Sequence, residues 1–226
     1  MGYQLLIFDW DGTLMDSAQK IANCIRASAR DLALTPPDEQ ACKNIIGLGL
    51  TEAMVSLFDH VDGAPIKQLV ERYRHHWLVA DTTPQQLFNG VIAGLTELNQ
   101  AGPLLSIATG KSRSGLDSAF ADLPLGHLFA ASRCADETRS KPNPQMIEEL
   151  LALTAIKPSK AVMIGDTSYD MEMAANAGID AVGVSYGVHT EQTLVETGAT
   201  HVAHTFDELK AWLLEGRLEP AYSDHE

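Results

Sequence analysis

A parallel α/β sheet carrying a small inserted α-helical domain is the fold class that the sequence predicts. Three observations predict it. Short apolar runs of strand length end, one after another, in glycine or small polar residues. Helix-like stretches separate these runs, and such alternation favours parallel strands joined by crossover helices. Between residues 16 and 85 the alternation stops and only helical patterns follow. The chain has 226 residues, 45% hydrophobic and 20% charged. That length allows roughly 70% of the unfolded surface to be buried, so no disulfide or structural metal is needed for stability.

The first strand is read at Tyr3–Phe8, closed by Asp9 and the Asp11-Gly12 turn. Three further apolar runs follow the same plan: Leu104–Ala108 before Thr109-Gly110, Ala161–Ile164 before Gly165-Asp166, and Ala181–Val184 before Ser185-Tyr186-Gly187. His127–Ser132 is a further strand candidate. Helices are expected near 90–101, 112–122, 143–155, 168–177, 190–197 and 206–215. The inserted segment holds helical patterns near 17–33, 38–46, 51–59 and 65–79 and no expected strand. They are joined at Pro36-Pro37, Gly47-Leu48-Gly49 and Asp62-Gly63-Ala64-Pro65. The expected division is therefore residues 1–15 and 86–226 for the sheet domain and 16–85 for the helical one. The tail from Gly216 to Glu226 is polar and expected to fray.

Composition excludes several classes. No apolar run approaches the ~18 residues of a membrane span, and no basic stretch precedes the first apolar run, so neither a membrane protein nor a secretory leader is expected. Position 6 is Leu6, so Gly2 is a poor myristoylation site. Sixteen basic against thirty acidic residues give a net charge of −14, which disfavours nucleic acid as a partner. The excess acid lies mostly after residue 133, so local positive charge remains available for an anionic small molecule. Cys24, Cys42 and Cys134 are odd in number and widely spaced, with no metal-binding pair; free thiols in the cytoplasm are expected.

Open parallel sheets bind ligands beyond the carboxyl ends of their strands, where Asp9, Thr109 and Asp166 fall. In Asp9-Trp10-Asp11-Gly12-Thr13 the two aspartates are spaced to share one face of an extended strand. Adjacent carboxylates repel unless a cation lies between them or one is protonated. One carboxylate is a possible covalent nucleophile, its neighbour a possible general acid and base; a solvated Asp-Gly turn is the bland alternative. Gly165-Asp166-Thr167-Ser168-Tyr169-Asp170 closes a second strand and opens a helix. It reads either as an ordinary helix start or as a hard-cation site completed by Asp9. Thr109-Gly110-Lys111-Ser112 is not a phosphate-cradling P-loop, because the required first glycine is Leu105. It offers a hydroxyl and amides to a phosphoryl group, or merely a Ser112 helix cap. Lys141, before Pro142, is either a solvated loop lysine or a cation aimed at a phosphoryl group.

Taken together, Asp9-x-Asp11-x-Thr13, Thr109, Lys141 and Gly165-Asp166-x-x-x-Asp170 resemble the motifs of the haloacid dehalogenase-like hydrolase superfamily, in its order and over nearly the whole chain. Within it, the sequence looks like the phosphoglycolate phosphatase-like group. The resemblance implies a Rossmann-like core with a helical (C1-type) cap and an aspartyl-phosphate mechanism with Mg²⁺. Asp9 is then the nucleophile, Asp11 the acid and later base, and Thr109 and Lys141 the phosphoryl-binding groups. It implies Mg²⁺ ligation by the side chains of Asp9 and Asp166 and the backbone carbonyl of Asp11, with Asp170 indirectly involved. Asp11 favours phosphate esters, since dehalogenases and phosphonatases of the superfamily lack an acid there.

The expected activity is hydrolysis of a small phosphorylated metabolite, phosphoglycolate-like or a sugar phosphate, by a monomer or homodimer. A phosphomutase using the same nucleophile and a catalytically silent regulatory protein are the alternatives. Gly47, Gly110 and Lys111 are candidate substrate contacts. Arg26, Arg72, Arg74, His75, His76 and Arg113 are further cations to test. His201-x-x-His204 lacks a third ligand for zinc.

Overall fold

The computed structural model describes residues 2–123 and 125–222. Six parallel strands form one sheet in the order β5-β4-β1-β6-β7-β8. They are β1 (Leu5–Phe8), β4 (Leu104–Thr109), β5 (Phe129–Cys134), β6 (Ala161–Gly165), β7 (Asp180–Val184) and β8 (His201–Ala203). A two-stranded antiparallel ribbon pairs β2 (Met15–Asp16) with β3 (Gln86–Leu87). The helices are α1 (Ala18–Asp31), α2 (Glu39–Asn44), α3 (Leu50–Leu57), α4 (Ile66–His75), α5 (Val91–Gln100), α6 (Arg113–Asp122), α7 (Gln145–Thr154), α8 (Ser168–Ala177), α9 (Glu191–Glu196) and α10 (Phe206–Leu214).

Every residue of β1 is buried, as a strand covered on both faces requires. Leu6 and Phe8 face α5, α6 and α10 through Leu95, Leu116 and Phe206. Leu5 and Ile7 face α7, α8 and α9 through Ile147, Met171 and Leu194. Helices α1–α4 enclose their own apolar cluster, built around Ile25, Met54, Phe58 and Leu69. Cys24, Cys42 and Cys134 are buried free thiols, and burial pushes each well above the ordinary thiol range.

Four features depart from the sequence reading. The β2–β3 ribbon is too short to give a periodic signal. Strand β8 was not expected, because a three-residue edge strand has no repeat to detect. The helix expected through residue 79 ends at His75 and continues as a π-helical turn over His76–Ala80. The tail does not fray where it is described: Tyr3 donates its N–H to Arg217 O at 2.6 Å, Glu219 to Tyr3 O at 2.9 Å, and Ala221 to Gly102 O at 3.0 Å. Residues 223–226 lie outside the described residues.

Candidate active site at the strand ends

Strand β1 sits between β4 and β6, so its carboxyl end lies where the sheet order reverses. Asp9 follows β1, Thr109 ends β4 and Asp166 follows β6, and all three are essentially buried. Lys141 reaches the same point from the loop before α7. Its Nζ lies 2.9 Å from Asp9 Oδ1 and 2.6 Å from Asp170 Oδ1. Asp170 is fixed in turn by Thr167, whose N–H and hydroxyl both donate to Oδ2, at 3.1 and 2.7 Å. Asp166 accepts from the Thr13 hydroxyl and the Val188 N–H, each at 2.9 Å. A Cβ on Gly12 or Gly187 would collide with Asp166, so only glycine fits at either place.

Electrostatics follow from this crowding. Burial pushes the Asp9 carboxyl up, and Asp170 adds to the rise against the pull of Lys141. Burial, with Asp9 and Asp170 nearby, holds Asp166 well above the usual carboxylate range. Burial lowers Lys141, but its two carboxylate partners outweigh that and hold it above the usual lysine range. Asp9 Oδ2 is buried without a hydrogen-bond partner among the described residues. One oxygen from each of Asp9, Asp166 and Asp170 lies within 4.8 Å of the others. Three carboxylates around one ammonium, with one carboxylate oxygen left without a partner, fit a divalent cation with oxygen ligands.

Asp11 lies apart from that cluster. It accepts from the Ser17 hydroxyl at 2.7 Å and pairs with Lys111 Nζ at 3.1 Å. Asp9, Asp11, Thr109, Gly110 and Lys111 all line a cavity of about 570 Å³ beneath α1–α4. Gly47 lines it too, in the loop between α2 and α3, with φ +106°. That loop and the end of α2 touch the sheet domain directly. Gly49 N–H donates to Ser140 Oγ at 2.7 Å, and the Tyr169 hydroxyl donates to Asn44 O at 3.2 Å. A Cβ on Gly110 would stand 2.5 Å from the carbonyl oxygens of both Gly47 and Leu48. Gly110→Ala is therefore expected to cost about 1–3 kcal/mol of stability, since neither carbonyl can turn aside as a side chain would. Thermal unfolding checks it, and an unchanged midpoint would mean that the contact yields freely.

The other expected cations divide. Arg74 lines the cavity at its exposed rim. Arg72 and His75 flank a separate surface depression. His76 Nε2 pairs with Asp31 at 2.9 Å, and Arg113 pairs with Glu137 at 2.8 Å. Arg26 is absent from the cavity lining. His204 bonds to Ser185 and His201 stacks on Trp212, so they do not converge on a shared ion. The motif reading assigned no role to Ser17 or to Thr13 individually, and it missed Tyr73 and Trp77. The i, i+4 spacing of the two aromatics was the available signal.

The family model for haloacid dehalogenase-like hydrolases matches residues 6–184, which hold Asp9, Asp11, Thr109, Lys141, Asp166 and Asp170. The chain belongs to that family. This haloacid dehalogenase-like hydrolase is 33% identical to a Dickeya dadantii protein named "Probable phosphatase IndB", over 91% of both chains. It is 28% identical to a phosphoglycolate phosphatase of Mesorhizobium japonicum, covering 98% of this chain and 99% of that one. A haloacid dehalogenase-like family hydrolase from Streptococcus pneumoniae superposes with a TM-score of 0.81 at 26% identity, over 93% of this chain and 98% of the other. No helix among the described residues is long and apolar enough to cross a membrane.

Proposed function

We propose that this hydrolase is a Mg²⁺-dependent phosphatase that cleaves a small phosphomonoester through an aspartyl-phosphate on Asp9. The observation that carries the reading is the unpartnered Oδ2 of Asp9, held at the cavity floor beside Lys141 and the Asp166–Asp170 pair. An Asp9 oxygen attacks phosphorus and the ester P–O bond breaks. Asp11 gives its proton to the departing oxygen. Water then attacks the phosphorus of the aspartyl-phosphate, Asp11 takes its proton, and inorganic phosphate and free Asp9 are released.

Thr109 and Lys141 hold the phosphoryl oxygens and offset their charge, the main demand of phosphoryl transfer. Asp9, Asp166 and the Asp11 carbonyl would hold Mg²⁺, with Asp170 supporting them through Lys141. The ion supplies charge neutralisation at the phosphoryl oxygens. Residues 16–85 act as a cap that closes over the substrate, with residues 1–15 and 86–226 as the catalytic core. The buried free thiols support a reducing, cytoplasmic setting.

The test is phosphate release from a panel of phosphorylated metabolites, with Mg²⁺ and with excess chelator. Chelator-sensitive release supports the reading. Interconversion of phosphate esters without free phosphate would make the chain a mutase, and no reaction of either kind would leave it a silent binding protein.

Stability should report the cation independently. Asp9 and Asp166 are both raised, so the metal-free folded protein keeps protons that the unfolded chain loses above about pH 4. Metal-free stability therefore falls as pH rises from there through the raised values. Mg²⁺ needs the ionised carboxylates and must displace those protons. A fixed concentration of Mg²⁺, a hundred times its Kd at pH 8, is expected to stabilise the fold there by roughly 2.7 kcal/mol, with a smaller gain in melting midpoint at pH 5. Equal gains at the two pH values would contradict this.

A further inference from the structure

The cavity lining combines apolar and acidic side chains. On the side of the inserted helices stand Ile21, Ile25, Ile45, Ile46, Tyr73 and Trp77. The four isoleucines are buried even with the cavity open to solvent. Trp77 is carried on the π-helical turn, an irregularity frequent at functional sites. Tyr73 stacks on it with ring centres 5.9 Å apart, and Lys111 Nζ lies 4.5 Å from the indole centre. Glu52 on α3, with Asp122 and Asp136 from the sheet domain, also lines the cavity, and all three are exposed.

Cations are scarce here. Lys111 and Arg74 are the basic side chains among the lining residues. Lys111 is already paired with Asp11. Arg74 is exposed at the rim. A negatively charged leaving group would have to draw Lys111 away from Asp11 while facing three further carboxylates. Repulsion of that kind selects as firmly as attraction. The cavity, at about 570 Å³, is also in the range that holds a ligand far larger than a two-carbon acid.

We infer that the leaving group of the substrate is uncharged, bulkier than glycolate, and apolar on the face it turns to the isoleucines and Trp77, with Trp77 a specificity-determining residue. This rests on the phosphatase reading and narrows its substrate class. It ranks a phosphoglycolate-like ester below esters of larger neutral alcohols. Glu52, Asp122 and Asp136 suit hydroxyl or amine donors elsewhere on such an alcohol.

The test compares two phosphonates that cannot be hydrolysed at phosphorus, by calorimetry with Mg²⁺ present. Benzylphosphonate presents an uncharged ring, and 3-phosphonopropionate presents a carboxylate. The wild-type protein is expected to bind benzylphosphonate at least about tenfold more tightly. Trp77→Ala should reduce that ratio to within about twofold, and Trp77→Phe should keep most of it.

Tighter binding of 3-phosphonopropionate, lost in Arg74→Ala, would overturn the inference and give the leaving-group contact to Arg74. A ratio indifferent to Trp77→Ala would overturn the role of Trp77. Phenyl phosphate is assayed for phosphate release in parallel. Selective benzylphosphonate binding with no Mg²⁺-dependent release would uphold the pocket's selectivity and overturn the hydrolytic reading instead.

Discussion

Asp9→Asn is expected to abolish phosphate release, by about 10⁴-fold or more, while the protein stays folded. The carboxamide has no anionic oxygen to offer phosphorus, and its oxygen is a far weaker nucleophile. The fold should tolerate the change because it removes one of two partners, leaving Lys141 paired with Asp170 at 2.6 Å. It also relieves the carboxylate repulsion that raises Asp166. The variant should therefore melt no lower than the wild type in the absence of metal. Phosphate release and thermal unfolding, measured side by side, separate chemistry from folding. Retained turnover would remove Asp9 from the reaction altogether.

Lys141→Met is expected to destabilise the fold by about 3–5 kcal/mol near neutral pH. The side chain is fully buried between Asp9 and Asp170. Burial disfavours its charge, yet the two carboxylates prevail, and the net effect is a lysine more firmly protonated than in water. Methionine fills a similar volume, so packing loss is small beside the cost of leaving two buried carboxylates without a counter-charge. Protonation can relieve that cost, so the deficit should shrink from pH 8 to pH 5. Urea unfolding at the two pH values measures it. A loss below about 1 kcal/mol would place the interaction among ordinary exposed pairs.

The strand ends were legible because each apolar run stops at a residue whose chemistry differs from the run itself: Phe8 to Asp9, Ala108 to Thr109, Gly165 to Asp166. Parallel strands buried on both faces leave no other pattern, and β1, β4, β6 and β7 were found with nearly the right limits. Lys141 is harder. Nothing local distinguishes a buried lysine from a solvated one before Pro142, and its partners lie 132 residues back and 29 residues on, as the numbers of Asp9 and Asp170 show. Trp77 was signalled by its i, i+4 spacing from Tyr73, but its place on the cavity lining is tertiary. A hydrogen bond from Asp81 N–H to His76 O closes the π-helical turn, so the helix read over 65–79 ends at His75. The direct seating of Gly110 against Gly47 and Leu48 is a tertiary contact, invisible to spacing.

The β2–β3 ribbon carries a consequence for how such a chain diversifies. Met15 stands opposite Leu87 and Asp16 opposite Gln86. The inserted segment therefore leaves and rejoins the sheet domain at points one strand spacing apart, about 4.8 Å. Such adjacent ends make a segment replaceable as a cassette, because a substitute needs only to present two neighbouring termini. The aspartates that bring the chemistry together lie outside that segment. The isoleucines and Trp77 lie within it. On the proposed reading, selectivity is thus free to be exchanged wholesale while the strands that carry Asp9 and Asp166 keep their register.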